Sequence, residues 1–312
     1  MPIKTILHDF YDLTRLPLGI MGALFGFTSG AIVVMVQEKK DILSILSTPE
    51  YWPIAILGLT IPFLIVGASM AINDYHDYEA DRINNRMDRP LVRNPNLNPN
   101  FILFLALSMI ALGILISYIL FMDNILVVLG VILFSFLGIS YNLWTKERGL
   151  LGNITVAISD TAPALLALIA MGAKDAGTIF LVFIMAGITF FGVVGRELVK
   201  GIMDIEGDRA ANSRTFTVVY GPKRAVQLAS FFFIIVIFIS PFPLFIKFYN
   251  SFLYLLLMSI TIILLFLTVI ILYNDPSIEN GKKARSLTRS ALWTGAIAFL
   301  IGALELGFRY AS

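Results

Sequence analysis

Apolar residues fall into nine long runs separated by short polar segments, at approximately 17–36, 53–73, 101–121, 125–144, 152–172, 178–199, 226–246, 252–273 and 289–308. A helix needs about 20 such residues to cross the hydrocarbon of a bilayer. The pattern predicts an all-α, polytopic membrane protein with nine transmembrane helices. Pro62, Gly67, Pro163, Pro241 and Pro243 lie inside these runs. Membrane helices tolerate them where neighbouring groups satisfy the freed backbone.

Composition sharpens this picture in one respect. The chain of 312 residues is 58% apolar and 14% charged, against roughly 25% charged in a soluble domain. The absence of cysteine excludes disulfides, thiolate metal sites and cysteine nucleophiles. The first sixteen residues carry Lys4, His8, Asp9, Asp12 and Arg15 and lack the apolar core of a signal peptide. Net charge is only +2, so its distribution is what matters.

With the N-terminus placed in the cytoplasm, most of the 23 Lys and Arg residues fall on the cytoplasmic side. The other side holds only Lys39, Lys40, Lys174, Lys247 and Arg309. This is the asymmetry of the positive-inside rule. It supports nine crossings with the N-terminus inside, in one domain spanning 1–312. The active-site loops are expected at about 82–100 and 200–225, both facing the cytoplasm.

Two acidic stretches end apolar runs on that side. Asn73, Asp74, Asp77 and Asp81 belong to the first, Asp204 and Asp208 to the second, and Asp-x-x-x-Asp-Arg occurs in both. Carboxylates are costly near hydrocarbon, so matched clusters at membrane edges point to function. Read as one helix, the first four residues make a single polar stripe. Like charges on a stripe repel unless a cation neutralises them, and Mg²⁺ prefers carboxylate oxygens bridged to substrate phosphates. The bland alternative is a solvated, acidic helix end. Arg86, Lys146, Arg196 and Lys200 flank the clusters and suit the remaining charge of a diphosphate. Their alternative role is contact with anionic lipid.

Asn73-Asp74-x-x-Asp77-x-x-x-Asp81-Arg82-Ile83-Asn84, followed by Asp88-Arg89-Pro90, resembles the first signature of the UbiA-type intramembrane prenyltransferases. Arg196-Glu197-x-x-Lys200-x-x-x-Asp204-x-x-Gly207-Asp208 resembles their second signature, and Tyr141 with Lys146 the segment between them. Two departures stand out. Gly201 occupies the place of an aspartate, and the segment from Asn84 to Asn94 differs from the common form.

The resemblance implies Mg²⁺-dependent transfer of a prenyl group from a prenyl diphosphate to a lipophilic acceptor. Asn73, Asp74, Asp77 and Asp81 would hold one Mg²⁺, and Asp204 and Asp208 another. Arg86, Tyr141, Lys146, Arg196 and Lys200 would bind the diphosphate. An allylic cation needs protection from water, so the helices are expected to surround a central apolar cavity. The continuation Asp81-Arg82-Ile83-Asn84 and the Tyr75/Tyr78 pattern look most like archaeal enzymes that add geranylgeranyl to geranylgeranylglyceryl phosphate; an aromatic or quinone-precursor acceptor is the alternative. A secondary transporter, the reading from another class, would carry its acids near the midplane. No nucleic acid and no obligate protein partner is implied.

Other polar residues invite a role. Asp160 stands inside the fifth run beside Ser159 and Thr161, where it could position or deprotonate an acceptor. His76 and Glu305 read as interfacial. Tyr51, Trp52, Trp144 and Tyr310 read as aromatic-belt anchors.

Overall fold

A computed structural model describes residues 3–83, 85–210, 212–246 and 252–311. Asn84 and Lys247 lie outside these residues, as do the side chains of Lys4 and Tyr310. Nine helices among the described residues are long and apolar enough to cross a membrane. They are α1 (Leu16–Glu38), α2 (Pro49–His76), α3 (Pro99–Leu120), α4 (Ile125–Thr145), α5 (Leu150–Ala170), α6 (Ala176–Ala210), α7 (Pro222–Phe245), α8 (Phe252–Asn274) and α9 (Ile278–Arg309). Each corresponds to one apolar run. An additional helix, Ile3–Thr14, precedes α1.

Two helices extend well beyond their apolar runs. α6 continues through the second acidic cluster, so residues 200–210 are helix where a loop was expected. α9 begins at Ile278 and carries Lys282, Lys283 and Arg285. Hydropathy sees only the part of a helix inside lipid, whereas these ends are held by each other. Gly281 packs against the Met203 backbone, Arg285 reaches the Met203 sulfur, and Lys283 pairs with Glu279 one turn back.

Helices α2 to α9 pack in chain order, each against the next, while α1 closes the ring by contacting α2, α5, α6 and α9. α1 is accordingly the most enclosed span, with 72% of its apolar window buried. Its crossing with α2 depends on glycine. A Cβ on Gly58 would lie 2.6 Å from the Phe27 backbone, and one on Gly26 2.9 Å from the Gly58 carbonyl. Small residues allow this close backbone approach between membrane helices. Gly58→Leu is therefore expected to force α1 and α2 apart and to lower the thermal unfolding midpoint in detergent markedly. An unchanged midpoint would contradict the crossing.

The short connections alternate the helix ends. Arg15, Asp74, Asp77 and Lys146 meet at one end of the bundle. At the other end, Asn124 donates to the Ile169 carbonyl and Gln37 to the Gly172 carbonyl. The α4–α5 and α6–α7 connections join at the first end through a two-residue parallel pairing of β1 (Arg148–Gly149) with β2 (Arg214–Thr215). Both acidic clusters therefore open at the same end. Trp52 and Trp144 are about half exposed.

Candidate active site

α2 ends at His76, and a helix of six residues, Tyr78–Ile83, continues from it. The backbone stays hydrogen-bonded across the junction, from Asp77 N to Asn73 O at 2.9 Å and from Asp81 N to Asp77 O at 2.8 Å. The side chains, however, divide into two sets. Asn73 Nδ2 donates to Asp77 Oδ2 at 3.2 Å and to Asn142 Oδ1 at 3.1 Å. Lys146 Nζ donates to the same Asp77 oxygen at 2.5 Å. Asp74 turns elsewhere, its Oδ1 accepting from Arg15 at 2.7 Å and Arg89 at 3.1 Å. Arg89 Nε also lies 3.5 Å from Asp81 Oδ2. One residue step turns a helix by about 100°, which separates Asp74 from Asn73, while seven steps return Asp81 to the Asp74 side. The expected single stripe is thus two adjoining faces, one against α4 and its loop, the other against Arg15 and Arg89.

On α6, Asp204 and Asp208 lie one turn apart, with Lys200 and Arg196 on successive turns below them. Thr215 of β2 donates its hydroxyl to Asp208 Oδ2 at 3.0 Å. Glu197 accepts from Arg196 at 2.7 Å and from Lys200 at 3.4 Å. The Tyr141 phenol is within electrostatic range of Lys200, Glu197, Arg196 and Asp77. His76 stays half exposed, 3.8 Å from Asp77.

The clusters face one space. The Arg86 guanidinium feels Asp81 from the first and Asp204 from the second. Lys146, already paired with Asp77, also acts on Asp208. Arg86 forms a two-pronged pair with Asp88, both contacts at 2.9 Å. That pair holds the Asp88 carboxyl below its ordinary range. Burial first and Asp77 second push the Asp81 carboxyl up, while Arg86 and Lys146 pull it down.

Do these residues suit a divalent cation? Asp74 Oδ2 and Asp81 Oδ2 are buried and lack a hydrogen-bond partner. Buried carboxylate oxygens without partners are costly unless a cation or water completes them. No group of three acids or histidines among the described residues is already gathered as a metal cage. Mg²⁺ does not require one, because it takes one or two carboxylates together with substrate phosphates and water. The donor set fits a cation whose shell the diphosphate completes.

Behind this polar mouth lies an apolar cavity of about 110 Å³ between α2, α4 and α5, partly open to the surroundings. Its walls run from Ser69, Gly138 and Tyr141 down to Leu57 and Leu166. Gly138 and Ser69 touch where Asn142 bonds to both, so one packed seam joins the cavity to the Asn73–Asp77 face.

The UbiA prenyltransferase family matches residues 45–295 of this chain. The chain belongs to that family. The digeranylgeranylglyceryl phosphate synthase of Archaeoglobus fulgidus is 33% identical over 304 residues, covering 96% of this chain and 97% of its own. The synthase of Sulfolobus acidocaldarius is 32% identical over 270 residues, covering 84% of this chain and 90% of its own. The fold matches a solved structure from work on digeranylgeranylglyceryl phosphate synthase in membranes, with a TM-score of 0.71 at 22% identity over 96% of this chain and 99% of that one. A UbiA homolog from Archaeoglobus fulgidus solved with DMAPP and Mg²⁺ matches with a TM-score of 0.63 at 16% identity, covering 93% of this chain and 99% of that one.

In this UbiA prenyltransferase the glycine at 201 has a packing reason. A Cβ there would stand 2.6 Å from Thr217 Oγ1, on the short helix Phe216–Tyr220 that follows β2. Thr217 is buried at that contact. The missing aspartate makes room for the α6–α7 connection to fold back over α6. Three polar residues escaped the sequence reading as members of the site. Arg15 and Asp9 count there only as charges of the first sixteen residues, and Asn142 is not singled out. Asp9 is buried and accepts from Arg93 at 2.7 Å and Asn94 at 2.6 Å, tying the N-terminal helix to the α2–α3 connection. An asparagine four residues before Lys146, near the end of an apolar run, was the available signal for Asn142.

Proposed function

We propose that this prenyltransferase transfers a geranylgeranyl group from geranylgeranyl diphosphate to geranylgeranylglyceryl phosphate, forming the second ether of a membrane lipid. The observation that carries this reading is the meeting of two carboxylate clusters and four basic side chains at the mouth of an apolar cavity. The family assignment supports the reaction class, and the named relatives support the acceptor. All of 1–312 acts as one domain in this reading. The enzyme sits in the cell membrane with its N-terminus and active site toward the cytoplasm, which the bias of Lys and Arg supports.

The diphosphate binds across the two clusters. Arg86, Lys146, Arg196 and Lys200 attract its charge, and Tyr141 offers a hydroxyl beside Lys200. Asn73 and Asp77 on one face, Asp74 and Asp81 on the adjoining face, and Asp204 and Asp208 on α6 would supply the oxygens that hold Mg²⁺. When bound, it neutralises the diphosphate and stabilises the negative charge that builds as the allylic C–O bond ionises. Positioned cationic side chains act on the same developing charge, more strongly in a low-dielectric site than in water. The tail lies in the cavity, whose apolar walls keep water from the allylic cation.

The test is an assay of purified protein with labelled geranylgeranyl diphosphate and a panel of acceptors. The expected product is a labelled diether phosphate from geranylgeranylglyceryl phosphate, lost in EDTA and restored by Mg²⁺. A product formed only with aromatic acceptors would replace the lipid acceptor, and absence of pyrophosphate release would overturn the reaction.

A further inference from the structure

The cavity that suits the prenyl tail has one feature at odds with a purely apolar ligand. Of the residues lining it, one is an acid, Asp160, at the middle of α5. A carboxylate at membrane depth is expensive, and where it occurs it faces a partner or a substrate path. Here the partner is incomplete. Arg196 Nη2 stands 3.9 Å from Asp160 Oδ2, beyond hydrogen-bonding distance. The same Arg196 group is committed to Glu197 at 2.7 Å. Asp160 keeps 31% of its side chain open. Ser159 and Thr161 beside it do not complete it, because their hydroxyls donate to the Thr155 and Ile158 carbonyls.

The position links this acid to the reaction centre. Arg196, Lys200 and Asp204 lie at four-residue spacing on α6, so one helix face descends from the diphosphate mouth to Asp160. Tyr141 lines the same cavity and is in electrostatic range of Lys200, Arg196 and Glu197. The charged groups facing Asp160 are Arg196 and Glu197 of α6. Tyr141 is the titratable group that α4 adds to the cavity wall, and α2 adds none.

We infer that Asp160 marks the acceptor subsite, a seat for an alcohol whose hydroxyl donates to the carboxylate and gives it its proton on transfer. This rests on the reading of the acceptor above as an alcohol. The bond from prenyl C1 to the diphosphate oxygen breaks, and its electron pair leaves with the diphosphate. The acceptor hydroxyl oxygen forms the new ether bond to C1, and its proton passes to Asp160. Arg196 stands beside Asp160 without occupying it.

Asp160→Asn and Asp160→Glu distinguish this role from packing. With geranylgeranylglyceryl phosphate as acceptor, Asp160→Asn is expected to lower kcat about 100-fold or more, in the range of general-base loss. Binding of geranylgeranyl diphosphate should persist, and the acidic limb of the pH–rate profile should disappear. Asp160→Glu should restore part of kcat and the limb. A wild-type kcat and pH profile in Asp160→Asn would overturn the acceptor subsite while leaving the proposed function intact. Equal loss in the Asn and Glu variants with weakened diphosphate binding would also overturn it, as a packing effect. A wild-type enzyme that makes no ether from this alcohol overturns the function itself, and the subsite with it.

Discussion

Asp77→Asn is expected to lower turnover about 100-fold or more, and Asp208→Asn to do the same. Loss of one group that stabilises developing charge in an enclosed site costs on the order of 10²–10³ in rate. Each change preserves shape and removes charge. At position 77 the amide can still pair with Asn73, but Lys146 loses its carboxylate partner at 2.5 Å. At position 208 the bond from Thr215 can persist, so the local fold of the α6–α7 connection survives. Both variants should need more Mg²⁺ for half-maximal rate. Glu206 is exposed on the same helix, and Glu206→Gln serves as the control that keeps wild-type turnover. Normal turnover in both aspartate variants would remove these residues from the metal site.

The second large effect belongs to Arg89. This side chain is only 16% exposed and lies against Asp74, which is 1% exposed, and Asp81, at 10%. Removing one partner of a buried ion pair costs about 3–5 kcal/mol, because the remaining charge is stranded. Arg89→Ala strands the Asp81 carboxylate and leaves Asp74 with Arg15 alone. The expected result is a lower unfolding midpoint in detergent and loss of activity. Arg89→Ala combined with Asp81→Asn should recover part of the stability, since the second change removes the stranded charge. A single variant as stable as wild type would mean that water or lipid headgroups already screen this pair.

How far the site was legible depends on the kind of interaction. The nine helices were readable because the cost of unpaired backbone in lipid forces each apolar run to be helical. The two clusters were readable because carboxylates at membrane edges are rare and chemically suggestive. Their common end followed from counting crossings, and Arg86 acting on both Asp81 and Asp204 bears it out. The split of the first cluster follows from helical spacing, but the cations that meet it were not readable. Arg15 and Arg89 arrive beside Asp74 from separate segments, 59 and 15 residues away. The reason for Gly201 was equally hidden, since Thr217 reaches it only because β2 pairs with β1 and turns the chain back.

By itself, the sequence determined that this is a multi-pass membrane protein of the UbiA type, with both acidic clusters and their basic flanks at one end of the helices. Hydrophobic transfer and backbone hydrogen bonding are local demands, and they leave their periodicity in the chain. Only the tertiary structure decided which acid pairs with which base, where α6 and α9 stop, and that Asp160 opens into the cavity beside Arg196. Those outcomes depend on distances between side chains from different helices, and charge interactions change steeply over a few ångströms in a low-dielectric interior.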